Sequence, residues 1–473
     1  MANQSFNLLF RYKFAFLSIM LLLITAVCFG QTDTISEKSI DSLVSPQFTG
    51  NQPGISILIA KKGHIVYEKA FGSANIELNV PMQPDMVFRI GSITKQFTAV
   101  AILQLVEQGK ISLQDSIQKY IKDFPSKGYT ITVENLLTHT SGLIDYTSID
   151  SYNPYIERRD FAPDFLINYF KDKPLQFRPS SKYSYSNSNY LLLGYIIQLV
   201  SGENYHQYME DNVIKRAGLT HTFYAEEKTI VPNRAQGYTR DNGFFENCDY
   251  QTLSMGFACG DLLSNTEDLY KWNNAVTTYK LISKQSVSQA FAPHKLSDGT
   301  FSNYGYGWFI EPLYGSLCIH HEGQTSGFIA LEKYFPKEDI YISILTNVKS
   351  GEDKTDFSYN RFKLFDNITP LALGRPLVKE VNVSDSLLDD YIGTYSATFN
   401  KSTLTIYKSN GELYANLSNG TGKNLVLLAL SETNFFMPDA KNSYTTFEFI
   451  KENGKVTELI VTQDKKYEWK KIK

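Results

Sequence analysis

The chain carries FRIGSITKQF at residues 88–97, which sets a serine and a lysine three residues apart at the start of a long apolar run. If this run is helical, residues i and i+3 share one face, so that Ser92 and Lys95 can touch. A serine hydroxyl is a poor nucleophile until a base takes its proton, and a lysine kept neutral by burial can act as that base. The stretch therefore predicts a helix that carries an acyl-transfer pair at its N-terminus.

The helix that begins at Ser92 is predicted to end near Gln108, with Gly109 in the position that follows a helix C-terminus. Its middle, AVAIL at residues 99–103, is apolar on nearly every side. Such a helix lies in the centre of a domain rather than on its surface. A nucleophile at its N-terminus would also lie at the positive end of the helix dipole.

Two further motifs follow in the chain, Tyr185-Ser186-Asn187 and His321-Glu322-Gly323, and the first of them precedes an apolar helix predicted over Tyr190–Val200. Each pattern is weak alone, because S-x-x-K recurs at Ser116 and Y-x-N recurs at Tyr414. The context separates the copies, since Ser116 lies in a polar stretch and Tyr414 lies in an alternating strand pattern. The first copies adjoin apolar helices instead, and H-x-G occurs once in the chain.

The segments around these motifs resemble the serine β-lactamase-related family, which includes class C β-lactamases, D-Ala-D-Ala carboxypeptidases, D-amino-acid peptidases and bacterial esterases. The resemblance covers roughly residues 40–350. It rests on five segments in order: FRIGSITKQF (88–97), LLTHTSGL (136–143), YSN (185–187) before LLLG (191–194), YGYGW (304–308), and HEG (321–323) before Gly327. It implies an α+β fold with an antiparallel sheet flanked by helices, as in β-lactamases and penicillin-binding proteins.

The resemblance also implies roles for individual residues. Ser92 would attack a carbonyl to form an acyl-enzyme, Lys95 would accept its proton, and Tyr185 would pass a proton to the leaving group. Asn187 would hold Lys95 and a substrate amide. The backbone N–H groups of Ser92 and Gln324 would form the oxyanion hole. Water would complete the hydrolysis, and the scheme needs no metal or organic cofactor.

The third motif departs from the pattern of penicillin-recognising members, which carry Lys-Thr-Gly where this chain has His321-Glu322-Gly323. Histidine is largely neutral at pH 7, and Glu322 would disfavour anionic substrates. We therefore expect small esters or D-amino-acid peptides and amides rather than β-lactams, with His321 and Gly323 contacting the substrate. A structural role for His321 stays open, and we favour such a role for His139.

Two other functions stay open. One is a penicillin-binding D-Ala-D-Ala carboxypeptidase or a weak class C-like β-lactamase. The other is a non-catalytic binding protein that retains the fold, although the complete set of Ser92, Lys95 and Tyr185 argues against it. The expected partner of the enzyme is a small molecule or a peptide, and the oligomeric state is left open.

Strand patterns occur at both ends of the segment that carries the motifs. They predict a hairpin and four later strands, over 55–60, 65–70, 306–310, 317–320, 328–335 and 340–345. Helices lie between them, one of which has Thr266 as its expected N-cap. This order predicts one antiparallel sheet that is assembled from both ends of the domain.

The chain beyond residue 378 has short alternating runs separated by polar turns, which predict a small all-β barrel. The linker Gly374-Arg375-Pro376 marks the boundary, so the predicted domains are 31–377 and 378–473. This tail resembles the small barrel often appended to such hydrolases. We expect its basic end, residues 465–473, to be a solvated edge strand.

Residues 1–30 have the pattern of a secretory signal peptide. Arg11 and Lys13 precede the apolar run 14–27, and Cys28-Phe29-Gly30 supplies small residues at the cleavage site. We expect a cleaved signal and a secreted or periplasmic protein. An uncleaved membrane anchor over 14–30 is the main alternative, and lipidation at Cys28 is the lesser one.

Composition excludes several classes of function. The formal net charge is −3 over 473 residues, which provides no basic surface for nucleic acid. The sequence has neither a Gly-rich phosphate loop nor a Cys/His spacing typical of zinc. Cleavage leaves Cys248, Cys259 and Cys318. A Cys248–Cys259 disulfide is conceivable, but we favour small buried residues.

Overall fold

The computed structural model describes residues 35–149, 160–224, 228–241, 243–350, 357–375, 381–409, 411–417, 425–437, 445–462 and 466–473. The predicted signal segment, residues 1–30, and the predicted boundary between 377 and 378 lie outside these ranges and stay predictions. Within the described ranges, no helix combines the length and apolarity that a bilayer crossing requires.

The helices lie mostly between an early and a late group of strands. They are α1 (Glu37–Val44), α2 (Thr94–Glu107), α3 (Val133–Leu137), α4 (Pro163–Phe170), α5 (Asn187–Ser201), α6 (Tyr205–Met209), α7 (Lys215–Ala217), α8 (Thr266–Thr277), α9 (Lys284–Ala290), α10 (Phe357–Ala372) and α11 (Asp385–Tyr391).

The strands before residue 351 build the first domain. They are β1 (Ile55–Lys61), β2 (His64–Phe71), β3 (Ser73–Asn75), β4 (Val80–Pro81), β5 (Phe88–Arg89), β6 (Phe223–Tyr224), β7 (Tyr238–Asp241), β8 (Phe244–Asn247), β9 (Leu262–Ser264), β10 (Phe309–Leu313), β11 (Ser316–Thr325), β12 (Phe328–Phe335), β13 (Ile340–Thr346) and β14 (Val348–Ser350). The later strands are β15 (Gly393–Ala397), β16 (Thr403–Ser409), β17 (Glu412–Leu417), β18 (Leu425–Ala429), β19 (Asn434–Phe436), β20 (Thr446–Glu452), β21 (Lys455–Thr462) and β22 (Lys466–Lys471).

The main sheet is antiparallel, with the strand order β10-β11-β12-β13-β1-β2. Its early hairpin joins its late strands where β1 pairs with β13, so that Ile55 lies opposite Thr346. The prediction of one sheet assembled from both ends of the domain is confirmed. The α+β architecture is confirmed with it, since helices cover both faces of this sheet.

The sheet separates two apolar cores. On β1, Leu58 and Ala60 belong to the larger core, which contains α2 and α5, whereas Ile57 and Ile59 belong to the smaller core with α1 and α10. Consecutive strand residues point to opposite faces, so a strand covered on both sides must be apolar along its whole length. The larger core surrounds α2, in which every residue from Thr94 to Leu105 is buried, as its apolar sequence predicts.

Several predicted boundaries were wrong by a few residues. Asn265 caps α8 by accepting the N–H of Asp268 at 2.8 Å, and Thr266 is the first helical residue instead of the cap. Both side chains can cap a helix, so their identity alone did not decide between them. The strand expected from residue 306 begins at Phe309, and β11 runs through the whole third motif to Thr325.

The C-terminal strands β15 to β22 form a closed barrel in sequence order, which confirms the predicted barrel. The expectation of an edge strand at the basic end was wrong, because β22 pairs with β21 on one side and with β15 on the other. Its side chains alternate, so Trp469 is buried in the barrel core while Lys470 lies outside, 2.9 Å from Glu458. The lysines belong to the outer face of a barrel strand rather than to an edge.

Candidate active site

Ser92 lies in a tight turn that presents it to a cleft. A 3₁₀ turn, Gly91–Ile93, precedes α2, and Gly91 has a positive φ of 51°. A Cβ on Gly91 would lie 2.8 Å from the backbone nitrogen of Gln324, so this turn packs directly on β11. Glycine permits both the left-handed backbone and this close approach, which together bring Ser92 beside the third motif.

Lys95 is fully buried, and its side-chain nitrogen has three polar neighbours. It lies 3.0 Å from Oγ of Ser92, 2.8 Å from Oδ1 of Asn187 and 2.9 Å from the carbonyl oxygen of Cys259. The amide and carbonyl oxygens can only accept hydrogen bonds. A neutral amine has two N–H groups and one lone pair, so both donors are engaged and the lone pair is left for the Ser92 hydroxyl.

The protonation of Lys95 follows from its burial. Loss of hydration lowers its pKa from 10.5 to about 8, while the negative charge of the nearby Asp145 carboxylate opposes this shift. At pH 7 about one molecule in ten therefore holds Lys95 in its neutral form. A neutral Lys95 in this geometry can accept the proton of Ser92.

Tyr185 and Asn187 reach Lys95 from the loop before α5 and from the first residue of that helix. The Tyr185 ring centroid lies 4.8 Å from Nζ of Lys95. Burial raises the pKa of the Tyr185 hydroxyl well above 10, and the nearby Ser92 hydroxyl partly offsets this rise. Among the described residues this hydroxyl has no hydrogen bond of standard geometry, so a neutral, buried donor faces the site.

His139 holds the loop that carries Tyr185. Its φ is 55°, its Nδ1 accepts the backbone N–H of Ser186 at 3.2 Å, and its ring lies 4.3 Å from that of Tyr185. Because Nδ1 accepts this bond, it carries no proton. Burial lowers the pKa of His139 well below 6.5, so the ring stays neutral. These contacts agree with the structural role expected for His139.

His321 lies beside the same cluster, 6.2 Å from the Tyr185 ring between centroids. Its Nδ1 lies 2.6 Å from the carbonyl oxygen of Glu322, which can only accept, so the proton resides on Nδ1. Its Nε2 then accepts the hydroxyl of Tyr304 at 3.0 Å. Burial lowers the pKa of His321 to about 3. The side chain is neutral, and both of its nitrogens are hydrogen-bonded within the protein. Its contact with a substrate stays a prediction.

Gly323 and Gln324 bring β11 against the turn of Ser92. A Cβ on Gly323 would lie 1.9 Å from the carbonyl oxygen of Ile90 and 3.0 Å from the backbone nitrogen of Ser92. Only glycine allows this approach. Gln324 and Ser92 line one cleft, which is where the predicted oxyanion hole requires them. The hole itself stays a prediction.

Two further residues, Asp145 and Cys259, hold this arrangement and had no motif in the sequence to mark them. Asp145 accepts the Nδ2 hydrogen of Asn187 at 3.1 Å, and the Cys259 carbonyl accepts from Lys95. Cys259 belongs to a turn in which several carbonyls are bonded by side chains, since Tyr146 donates to residue 255, Tyr224 to residue 257 and Thr98 to residue 258. Contacts between such distant segments have no short-range sequence signal.

Among the described residues, the cysteines form no disulfide and the His, Cys, Asp and Glu side chains form no metal-binding cluster. Cys248, Cys259 and Cys318 are free thiols, so the structure has no Cys248–Cys259 disulfide. Over the ranges that the structure describes, no three His, Cys, Asp or Glu side chains are grouped so as to hold a metal ion.

Comparisons with known proteins match two parts of the chain. Residues 40–363 match the family model described as Beta-lactamase, and residues 378–473 match a domain of unknown function (DUF3471). The chain is 34% identical over 297 residues to the Bacillus subtilis (strain 168) protein named "Putative penicillin-binding protein PbpX", covering 62% of this chain and 70% of that protein.

Two solved structures resemble the fold. One is the octameric penicillin-binding protein homologue from Pyrococcus abyssi, with a TM-score of 0.60, 27% identity, and coverage of 88% of this chain and 96% of that chain. The other is the D-amino acid amidase from Ochrobactrum anthropi SV3, with a TM-score of 0.62, 23% identity, and coverage of 71% and 98%. At that identity the amidase shows a shared fold alone.

Proposed function

The chain belongs to the beta-lactamase family of serine hydrolases, and from that premise we propose that it is a secreted enzyme that hydrolyses small esters or D-amino-acid peptides and amides through an acyl-enzyme on Ser92. The observation that carries the proposal is the environment of Lys95. Two obligate acceptors take its N–H groups, and its third polar neighbour is the Ser92 hydroxyl at 3.0 Å.

Acylation begins with neutral Lys95. Its lone pair takes the proton of Ser92 while Oγ attacks the substrate carbonyl carbon, and the carbonyl oxygen becomes an oxyanion. The N–H groups of Ser92 and Gln324 stabilise this charge. The tetrahedral adduct then expels its alcohol or amine.

The leaving group needs a proton, and Tyr185 is the donor. Its raised pKa keeps the hydroxyl neutral and therefore able to donate. Tyr185 regains its proton from the Lys95 ammonium, which restores the base. Water then attacks the ester carbonyl on Ser92 and gives a proton to Lys95. Lys95 passes this proton to Oγ of Ser92 as the acid leaves, which regenerates both the serine hydroxyl and the neutral lysine.

The third motif supports the choice of substrates. Penicillin-recognising relatives carry a lysine where this chain has His321, and the low pKa of His321 leaves that position uncharged. The exposed Glu322 adds a negative charge beside it. This motif therefore provides no positive charge to bind a substrate carboxylate. Neutral esters and amides do not need such a charge for binding. The amidase whose fold resembles this one acts, by its name, on D-amino acid amides.

A second candidate function is a penicillin-binding carboxypeptidase. It is favoured by the relative at 34% identity, whose name places it among penicillin-binding proteins. Under this alternative Ser92 and Lys95 keep the same roles, and another cation must bind the substrate carboxylate.

Steady-state hydrolysis tests the proposal. The substrates are p-nitrophenyl acetate and the p-nitroanilides of D- and L-alanine, and the variants are Ser92→Ala and the matched control Ser116→Ala, which alters the other S-x-x-K serine. We expect turnover by the wild type and by Ser116→Ala, a preference for the D-anilide, and none by Ser92→Ala. Equal rates for Ser92→Ala and the wild type would refute the proposal. Secretion is tested separately by N-terminal sequencing of the exported protein, which should begin at Gln31.

A further inference from the structure

The carboxamide of Asn187 is held at both of its ends. Its Oδ1 accepts a hydrogen bond from Nζ of Lys95 at 2.8 Å, and its Nδ2 donates to Oδ2 of Asp145 at 3.1 Å. An ionised carboxylate can only accept hydrogen bonds. The Asp145 carboxylate therefore decides which end of the amide faces Lys95.

The orientation of this amide matters for the direction of proton transfer. If the carboxamide were turned by 180°, its NH₂ group would face Nζ of Lys95. The lysine lone pair would then accept from Nδ2 of Asn187, and an N–H of Lys95 would point at Ser92 instead. In that arrangement Lys95 is a donor to Ser92 and cannot remove its proton.

Asp145 is itself fixed by the turn that follows it. Its Oδ1 accepts the backbone N–H of Thr147 at 3.0 Å and the Thr147 hydroxyl at 2.9 Å. This leaves Oδ2 for Asn187. The same turn supplies Tyr146 and Thr147 to the wall of the cleft, so Asp145 is tied to the site through its backbone as well.

We propose that Asp145 is a positioning residue for the reaction of Ser92 and Lys95, because its carboxylate locks the Asn187 carboxamide in the orientation that leaves the Lys95 lone pair directed at Ser92. The inference rests on the proposed function and deepens it. Asp145 itself contacts neither the nucleophile nor the base.

Removal of the Asp145 charge has a second, measurable consequence. The charged and titratable groups around Lys95 are Asp145 from this turn and Cys259 from the opposite turn, together with Tyr185, Tyr190, His139 and His321. Burial keeps the Cys259 thiol protonated, with a pKa of about 11, and keeps both tyrosines and both histidines neutral. Asp145 is therefore the one full charge in this set, and its loss must lower the pKa of Lys95.

The test compares acylation rates of full-length variants with p-nitrophenyl acetate between pH 5.5 and 9.5. Asp145→Asn allows both orientations of Asn187. Asp145→Ser keeps a side chain that caps Thr147 but is too short to reach Asn187. The matched control is Asp298→Asn, since Asp298 makes the same local pair of bonds to Thr300, at 2.9 Å to the backbone nitrogen and 2.6 Å to the hydroxyl, outside the cleft.

We expect kcat/KM to fall about 10- to 100-fold in Asp145→Asn and Asp145→Ser, as for loss of a hydrogen bond to a charged group. The acid limb of the pH profile should move to lower pH, and Asp298→Asn should match the wild type. In an Asn187→Ala background, Asp145→Asn should lower kcat/KM on the plateau above the acid limb by less than about twofold, because the hydrogen-bond route to Lys95 is gone and only the effect of charge on the pKa of Lys95 is left.

Three outcomes would overturn the inference. They are an Asp145→Asn rate within twofold of the wild type, an unchanged acid limb in both Asp145 variants, and the same loss in the Asn187→Ala background. A wild-type chain that is inert towards every ester would refute the proposed function and this inference together. Failure of Asp145 alone, in an active enzyme, refutes the inference and leaves the function standing.

Discussion

The carbonyl oxygen of Cys259 lies 2.9 Å from the side-chain nitrogen of Lys95, although 164 residues separate them. This carbonyl takes one of the two N–H groups of neutral Lys95, and the turn that presents it is held by side chains from other elements. Thr98 donates to the carbonyl of Ala258 at 2.6 Å, and Tyr224 donates to that of Phe257. The position of Lys95 thus depends on this turn as well as on its own helix.

Loss of the Tyr224 hydroxyl should loosen this turn. Tyr224→Phe leaves the carbonyl of Phe257 without its side-chain donor, and we expect the free energy of unfolding to fall by about 1 kcal/mol. The acylation rate should fall by less than about tenfold, since the carbonyl of Cys259 is moved rather than removed. Urea denaturation and ester kinetics measure the two effects. The control Tyr279→Phe removes the hydroxyl of a half-exposed tyrosine and should change neither the free energy of unfolding nor the acylation rate. Equal effects in both variants would contradict this role for the turn.

The pH profile of the wild type should report Lys95. Only its neutral form can accept the proton of Ser92, so kcat/KM should rise about tenfold per pH unit below the pKa of about 8 and level off above it. Ester kinetics from pH 5.5 to 9.5, corrected for spontaneous hydrolysis, measure this limb. A limb near pH 6.5 would assign the base to a histidine and contradict the account.

The acid limb should not depend on His321. Burial holds its pKa at about 3, so the ring does not titrate in the range in which the enzyme is assayed. His321→Gln should therefore leave the midpoint of the limb within about 0.3 pH units of the wild type, even if the rate falls because Tyr304 loses its partner. A shift of a full unit would show that His321 carries charge in the folded protein.

Much of this arrangement could be predicted from the sequence because it is local or periodic. The spacing of three residues predicted the contact of Ser92 with Lys95, which forms where a 3₁₀ turn leads into α2. Alternating patterns predicted the sheet and the barrel. The features that the sequence did not predict depend on contacts between segments that are far apart in the chain. Asp145 meets Asn187 through tertiary packing, and β22 ceases to be an edge strand only because β15 pairs with it across the whole barrel. The N-cap of α8 was predicted wrongly for another reason, because Asn265 and the adjacent Thr266 both have side chains that can cap a helix.

Gly323 should tolerate no side chain. In Gly323→Ala the new Cβ would lie 1.9 Å from the carbonyl oxygen of Ile90, so the turn of Ser92 must move away from β11. We expect activity to fall by more than about 100-fold, as when an oxyanion donor is lost, and stability to fall by about 1–3 kcal/mol. Thermal unfolding and ester kinetics measure both. Gly260→Ala, whose Cβ would meet nothing within 3.5 Å, should show no comparable loss of stability. Retention of activity in Gly323→Ala would contradict the close packing.

A buried carboxylate beneath the site should make stability depend on pH. Burial raises the pKa of Glu332 from 4.5 to about 7, although Gln96 and Tyr341 donate hydrogen bonds to it. The folded protein therefore holds a proton that the unfolded chain releases, and stability is lost as pH rises from 4.5 to 7, by about 3 kcal/mol in total.

The variant Glu332→Gln should lack this loss. Urea denaturation at pH 5 and pH 8 should show the free-energy difference between variant and wild type changing in favour of the variant by about 2.5 kcal/mol, since part of the loss has already occurred at pH 5. The exposed Glu246→Gln serves as the control and should follow the wild type at both pH values. A gap that is constant with pH would show that Glu332 titrates normally in the folded state.

Intact-protein mass spectrometry after rapid acid quench tests the central claim most directly. The full-length wild type, Ser92→Ala and Ser116→Ala are each mixed with p-nitrophenyl acetate and, separately, with a penicillin. We predict one acetyl adduct in the wild type and in Ser116→Ala, mapped to Ser92 by peptide analysis, and none in Ser92→Ala. A stable penicillin adduct at Ser92 would select the penicillin-binding alternative. An acetyl adduct of equal yield in Ser92→Ala would contradict the account, because the acyl group would then be carried elsewhere.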